Sequence, residues 1–157
     1  MTKEKIISLL PYSEPFLFVD SISEINEDSI TGQYRFKEDE YFYKGHFSKM
    51  NGIPQKYPVT PGVILIETMA QIGLVCLGIY LVKDELSDYK DTKIAMVSTQ
   101  VDFFHPVFPG ETVKVTSKKV YFRFGKLKCN VEMRNSKDEI VCKGIISGMV
   151  RLNNDEQ

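Results

Sequence analysis

The 157 residues hold only three cysteines and two histidines. Cys76, Cys129 and Cys142 are too few and too scattered for a disulfide framework or a CxxC centre. One falls in an apolar run and two in strand-like segments, so all three are expected as small buried hydrophobes in a reducing compartment. Charge of either sign is not in excess: the net charge is −1, which removes any bulk field toward nucleic acid or a membrane surface. The opening stretch MTKEKIISLLPYSEP lacks a long apolar segment and a small-residue cleavage site, so no secretory signal is read there and a cytoplasmic location is expected. No repeat and no βαβ alternation is visible.

A composition of 43% hydrophobic and 26% charged residues argues against disorder. The length suits one domain that buries roughly two-thirds of its unfolded surface without a staple. Residues 1–152 are taken as that domain and 153–157 as a frayed tail. One segment invites a membrane reading: VILIETMAQIGLVCLGIYLV, Val63 to Val82, twenty residues with a single charge. Glu67, Thr68 and Gln71 interrupt its first half, and the unbroken apolar part is only the eleven residues Ile72 to Val82. A helix buried in a folded core is the expectation, not a span.

Residues 2–9 predict a short helix stopped by Pro11, and Phe16–Ile25 and Ser29–Phe36 predict two strands. In the second, Ile30, Gly32, Tyr34 and Phe36 share a face. Residues 37–60 have no clean period and read as a long loop. Thr60 is placed as the cap and Pro61 as the first residue of a helix reaching about Lys83. Beyond it, Lys93–Phe104, Glu111–Phe124, Lys126–Arg134 and Glu139–Leu152 are strand-like. A phase slip predicts a bulge near Ser117–Lys119. The order predicts an α+β fold in which one curved antiparallel sheet wraps a long central apolar helix, with a second copy closing what stays open.

Three features carry chemistry. Glu67 sits in an apolar helix, where an unpaired carboxyl is pushed toward the neutral form that a general acid needs. Its alternative is a helix-edge residue in water or a structural hydrogen bond. His46 lies in a glycine-containing loop, where an imidazole suits a general base at neutral pH, and its alternative is a structural histidine. The start Pro61-Gly62-Val63 offers unpaired amides able to polarise a carbonyl, or is an ordinary helix start. Base, acid and carbonyl-polarising dipole together suit removal of a proton beside a carbonyl and loss of a group from the next carbon.

The stretches LLPYSEPFLFVD, GHF, PGVILIETMAQ and FFHPVFPGE, in this order over Leu9 to about Leu152, resemble the 3-hydroxyacyl-[acyl-carrier-protein] dehydratases of the hotdog-fold superfamily. Glu67, in place of Asp, resembles the branch that only dehydrates. The resemblance implies His46 and Glu67 as the catalytic pair supplied by opposite subunits, with the Gly62 and Val63 amides holding the thioester carbonyl. It also implies an acyl carrier protein partner, a homodimer or trimer of dimers, and no metal or redox cofactor. Two departures stand out. The segment Ser48–Thr60 makes the loop about seven residues longer than in the family, a length that loops tolerate. His105 stands where the family often has Arg; it is read as a loop histidine, with a carrier contact as the alternative. From Lys114 to Lys128 there are six basic residues and no acidic one. An acidic carrier would be steered there, though solvated strand faces explain it equally. A thioesterase on the same fold, and a non-catalytic acyl-thioester binder, are the rival functions.

Overall fold

The computed structural model describes residues 1–54, 58–85 and 92–152. The chain opens with α1 (Lys3–Ser8), whose first turn is capped by the Thr2 hydroxyl accepting from the Lys5 amide, and which buries Ile6. Six strands form one antiparallel sheet: β1 (Ser21–Ile25), β2 (Ser29–Arg35), β5 (Thr92–Phe103), β6 (Thr112–Arg123), β7 (Lys126–Arg134) and β8 (Ile140–Leu152). Their order is β1-β2-β6-β7-β8-β5, which leaves β1 and β5 as edges. A separate two-stranded ribbon joins β3 (Lys49–Met50) and β4 (Ile53–Pro54).

The inner face of the sheet follows the period of two. Leu127, Cys129, Val131 and Met133 of β7 are all buried, and the Ile30, Gly32, Tyr34, Phe36 face of β2 is buried as expected. This face meets the helix Gly62–Leu81, which touches β2, β5, β6, β7 and β8. That helix is long and apolar enough to cross a membrane, but most of it is buried inside the fold. Each fully buried Leu or Ile along it contributes roughly 1.5–3 kcal/mol. All three cysteines are buried and free.

The middle of the helix, Gln71–Cys76, widens to a π turn. There the helix packs tightly on the sheet. A Cβ at Gly73 would come within 2.9 Å of Ser117 Cβ and 3.0 Å of Val131 Cγ1. The buried Ser117 hydroxyl donates to the Gly73 carbonyl at 2.8 Å.

Several expectations shift. The strand expected from Phe16 begins only at Ser21, because the Phe18 amide donates to the Gln71 side chain at 2.8 Å instead of to a neighbouring strand. The long loop contains the β3–β4 ribbon, turned at Asn51 (φ 51°) and Gly52 (φ 80°), the Asn-Gly geometry of a type I′ turn. Thr60 does not cap the helix. Its hydroxyl lies 2.6 Å from that of Tyr43 and its amide donates to Val107 O, so Pro61 is the cap and Gly62 the first helical residue. The helix stops at Leu81, short of Lys83. The β6 bulge falls at Val120, between the pairs Lys119–Cys129 and Tyr121–Lys128, one residue later than expected. The tail 153–157 and residues 86–91 of the polar stretch lie outside the described residues.

Two predictions follow from this core. Gly73→Ala is expected to cost about 1–3 kcal/mol of folding stability in denaturant titration, since neither Ser117 nor Val131 has room to give. A variant as stable as the parent would show that the helix can lift from the sheet. Burial pushes Tyr12 and Tyr43 from 10.0 up to about 12, and burial with the Glu40 hydrogen bond pushes Tyr34 up as well. Raised folded values mean that this stability is complete below about pH 10 and is lost as the pH climbs toward 12. The melting temperature should therefore fall steadily above pH 10; a flat profile to pH 12 would contradict these burials.

Candidate active site

His46 is presented by a loop that the core holds from behind. The turn Tyr41–Lys44 buries Phe42 and Tyr43 among Phe18, Tyr34 and Phe36. Buried Glu40 accepts from the Tyr34 hydroxyl at 2.5 Å and from the Lys37 amide at 3.2 Å, which fixes the loop at its entry. The His46 amide then donates to Phe42 O. Its ring packs on Phe47, with centroids 4.1 Å apart. Nδ1 lies 2.9 Å from Val59 O. A carbonyl only accepts, so Nδ1 carries the proton and a neutral ring keeps its lone pair on Nε2.

The same cleft, about 330 Å³, is lined by His46, Phe47, Gly62, Leu65, Phe103 and His105, among others. Gly62 is needed because the Phe103 ring lies 3.2 Å from where a Cβ would stand. The Ile64 and Leu65 amides both turn back to Pro61 O, and those of Gly62 and Val63 precede any intrahelical acceptor. These first-turn donors carry the positive end of the helix dipole. Val63 does not line the cleft; its side chain is 73% exposed. His105 is tied at both ring nitrogens, Nδ1 to Ile140 O at 2.9 Å and Nε2 beside Glu139 at 3.3 Å. Among the described residues, then, His46 is the histidine with a ring nitrogen left open.

Glu67 is elsewhere. Five residues beyond Gly62, it is turned by about 140° around the helix, and it does not line the cleft. It is half-buried at the edge of the core, so the expectation of a carboxyl enclosed by apolar groups is corrected: Gln71 Nε2 donates to its Oε1 at 2.9 Å. Gln71, fully buried, was quoted within a motif but given no role by sequence reasoning. A polar residue four positions after the acid, in an otherwise apolar run, was the signal available.

A larger concavity of about 680 Å³ opens on the outer face of the sheet beside Lys114, Lys118, Glu132 and Arg134. Its Arg134 is held by Glu132 at 2.6 Å, and it offers neither an open histidine nor a helix start, so the chemistry is assigned to the smaller cleft. Among the described residues no cluster suits a metal ion. The tautomer is directly testable: ring ¹⁵N spectra of the neutral protein should show His46 protonated at Nδ1, and a protonated Nε2 would remove the open lone pair.

A FabA-like domain is matched over residues 10–144. The chain is 31% identical over 150 residues to the 3-hydroxyacyl-[acyl-carrier-protein] dehydratase FabZ of Clostridium perfringens, covering 93% of this chain and 96% of that one. It is 37% identical over 119 residues to the same-named protein of Methylobacterium nodulans, covering 74% and 68%. Among solved structures, the dehydratase heterocomplex ApeI:P from Xenorhabdus doucetiae aligns with a TM-score of 0.74 at 12% identity, over 99% of this chain and 95% of that chain. A thioesterase from Haemophilus influenzae aligns with a TM-score of 0.68 at 15% identity, over 100% and 95%. At such identities these two speak for the hotdog fold and not for the reaction.

Proposed function

The chain belongs to the FabA-like family, and from that membership we propose that it dehydrates 3-hydroxyacyl thioesters on acyl carrier protein. The products are trans-2-enoyl thioesters for fatty-acid or related acyl-chain biosynthesis. The observation that carries the reading is one cleft holding an imidazole with Nδ1 tied and Nε2 open beside the free first-turn amides of an apolar helix. With the thioester oxygen on the Gly62 and Val63 amides, negative charge developing on that oxygen meets fixed donors. His46 Nε2 takes a proton from C2, the C2–C3 double bond forms, and the C3–O bond breaks. The departing hydroxyl takes a proton from Glu67 and leaves as water. His46 then holds one proton more and Glu67 one fewer, and exchange through water resets both.

His46 and Glu67 face different sides within one protomer, so a second copy supplies the missing half. The edge strand β5 is twelve residues long and exposes Met96, Val97 and Phe103, a ready pairing surface. Antiparallel pairing of two such edges in a homodimer sets the Phe103 end of one β5 beside the start of the other. It also brings round the partner's β6–β7 turn, because Lys126 pairs with Met149 and Met149 with Ala95 near the start of β5. Arg123, Lys126 and Lys128 at that turn favour an acidic carrier protein. Residues 1–152 act as one domain, and the cytoplasm is the proposed compartment.

The test follows enoyl product and free thiol together from a 3-hydroxyacyl carrier-protein substrate. Enoyl product without thiol is expected; thiol release would instead mark a thioesterase, and neither product a binder. His46→Ala and Glu67→Gln should each lower turnover roughly 10²–10⁴-fold. Mixed dimers of the two variants should regain activity, since one of their two sites is intact. No regain would place both residues in one subunit's site.

A further inference from the structure

We infer that Phe47 is a positioning residue for His46: a strained backbone lays its ring on one face of the imidazole, which fixes the imidazole plane and favours the cation formed when Nε2 takes the C2 proton. This rests on the assignment of His46 as the base. Phe47 is costly to keep where it is on two counts. Its φ is 49°, in the left-handed region that Gly, Asn and Asp enter readily and a bulky aromatic residue does not. Its side chain is also 66% exposed, so a phenyl ring is left largely in water. The loop has a glycine two residues earlier, yet Gly45 takes φ −113°, which any residue can adopt. The strain therefore falls on the aromatic residue, beside a base, and such outliers gather at functional sites.

The gain is a stack. Neighbouring side chains on an extended chain point to opposite sides. With Phe47 in the left-handed region, the two rings instead lie 4.1 Å apart with planes inclined by 28°, and both line the cleft. The Nδ1 contact with Val59 O, at 2.9 Å, fixes one atom of the imidazole and leaves the ring free to swing about it. The phenyl face blocks that swing on one side. The stack also acts on charge, because the face of a phenyl ring is the negative side of its quadrupole. An imidazolium is attracted to it more than a neutral imidazole is. His46 becomes an imidazolium only as C2 loses its proton, so the attraction grows along the reaction. No carboxylate of this protomer lines the cleft; His105 does, with Glu139 behind it at 3.3 Å. Lys44 and Lys49 are the charged residues flanking His46 on its own loop, and in the proposed homodimer Glu67 of the second copy faces it.

The test compares Phe47→Tyr, Phe47→Leu and Phe47→Asn in the assembled enzyme on carrier-bound 3-hydroxyacyl substrate. It reads kcat, KM, the pH profile, melting temperature and the NMR titration of the His46 ring without substrate. Phe47→Tyr keeps the π face and should retain kcat within about threefold. Phe47→Leu keeps bulk but not the quadrupole. It should lower kcat roughly 3- to 10-fold with KM little changed, and move the acid limb of the profile and the His46 titration together to lower pH. Phe47→Asn suits the left-handed backbone and removes the ring. It should lower kcat about 10- to 100-fold while the melting temperature holds or rises. An unmoved His46 titration in Phe47→Leu overturns the proposal, as does a Tyr variant as impaired as the Leu one. So does a fall in melting temperature that tracks the loss of kcat in Phe47→Asn, which would mark the ring as structural. A His46→Ala variant with near-parent activity would sink the base assignment itself, an outcome separate from the stack, which the substrate-free titration reads directly.

Discussion

Burying the Gly62–Leu81 helix takes its hydroxyl, carboxamide and carbonyl groups out of water along with its methyls. Each buried polar atom left alone would cost about 1–3 kcal/mol, so each must find a partner inside. Thr68 solves this locally by donating to Ile64 O. The Gly73 carbonyl, in the widened turn, is met by Ser117 from the sheet. The helix meets only part of Gln71, through Glu67 Oε1, and the backbone of Phe16 and Phe18 meets the rest. The path of the N-terminal segment and the Glu67 carboxyl both meet that one side chain.

The histidine is held by a different device. Behind His46 the rings of Phe18, Tyr34, Phe36, Phe42 and Tyr43 form a continuous aromatic layer, with edge-to-face contacts at 4.8–5.5 Å for the pairs Phe42–Tyr43, Tyr34–Phe36 and Phe18–Tyr34. Such pairs favour particular ring angles and so resist rotation. The two tyrosines then use their hydroxyls to fix Glu40 before the histidine and Thr60 after the ribbon. The β3–β4 ribbon lies between these two anchors, and so does the contact of His46 Nδ1 with Val59 O.

Periodicity made the sheet legible: the β7 and β2 faces are as their alternation implied, and the apolar helix sits where its length and three polar interruptions put it. What periodicity could not reveal were long-range substitutions of one hydrogen-bond partner for another. Nothing local announces that Phe18 N–H will go to residue 71, so the first strand was drawn too long. Thr60 looked like a cap because the cap rule is local, while Tyr43, seventeen residues away, competed for its hydroxyl. Asn51-Gly52, by contrast, is a local turn signal inside a segment that has no hydrophobic period. His46, Glu67 and Gly62 could be singled out by residue type and setting; the side of the helix each faces could not, since that depends on which strands cover it.

The rotation along the helix sets the faces of Gly62 and Glu67 apart within one protomer. The first-turn amides lie at Gly62 and Val63, where the dipole is strongest and where no side chain can occupy the donors. An acid on the same helix must avoid the Phe103 ring over Gly62 and still reach a buried donor. Position 67 meets both demands, because residue 71 lies one turn further on the same face. The cost is that this face points away from the protomer's own His46. In the homodimer proposed above, each copy would bring the helix face that the other's histidine lacks.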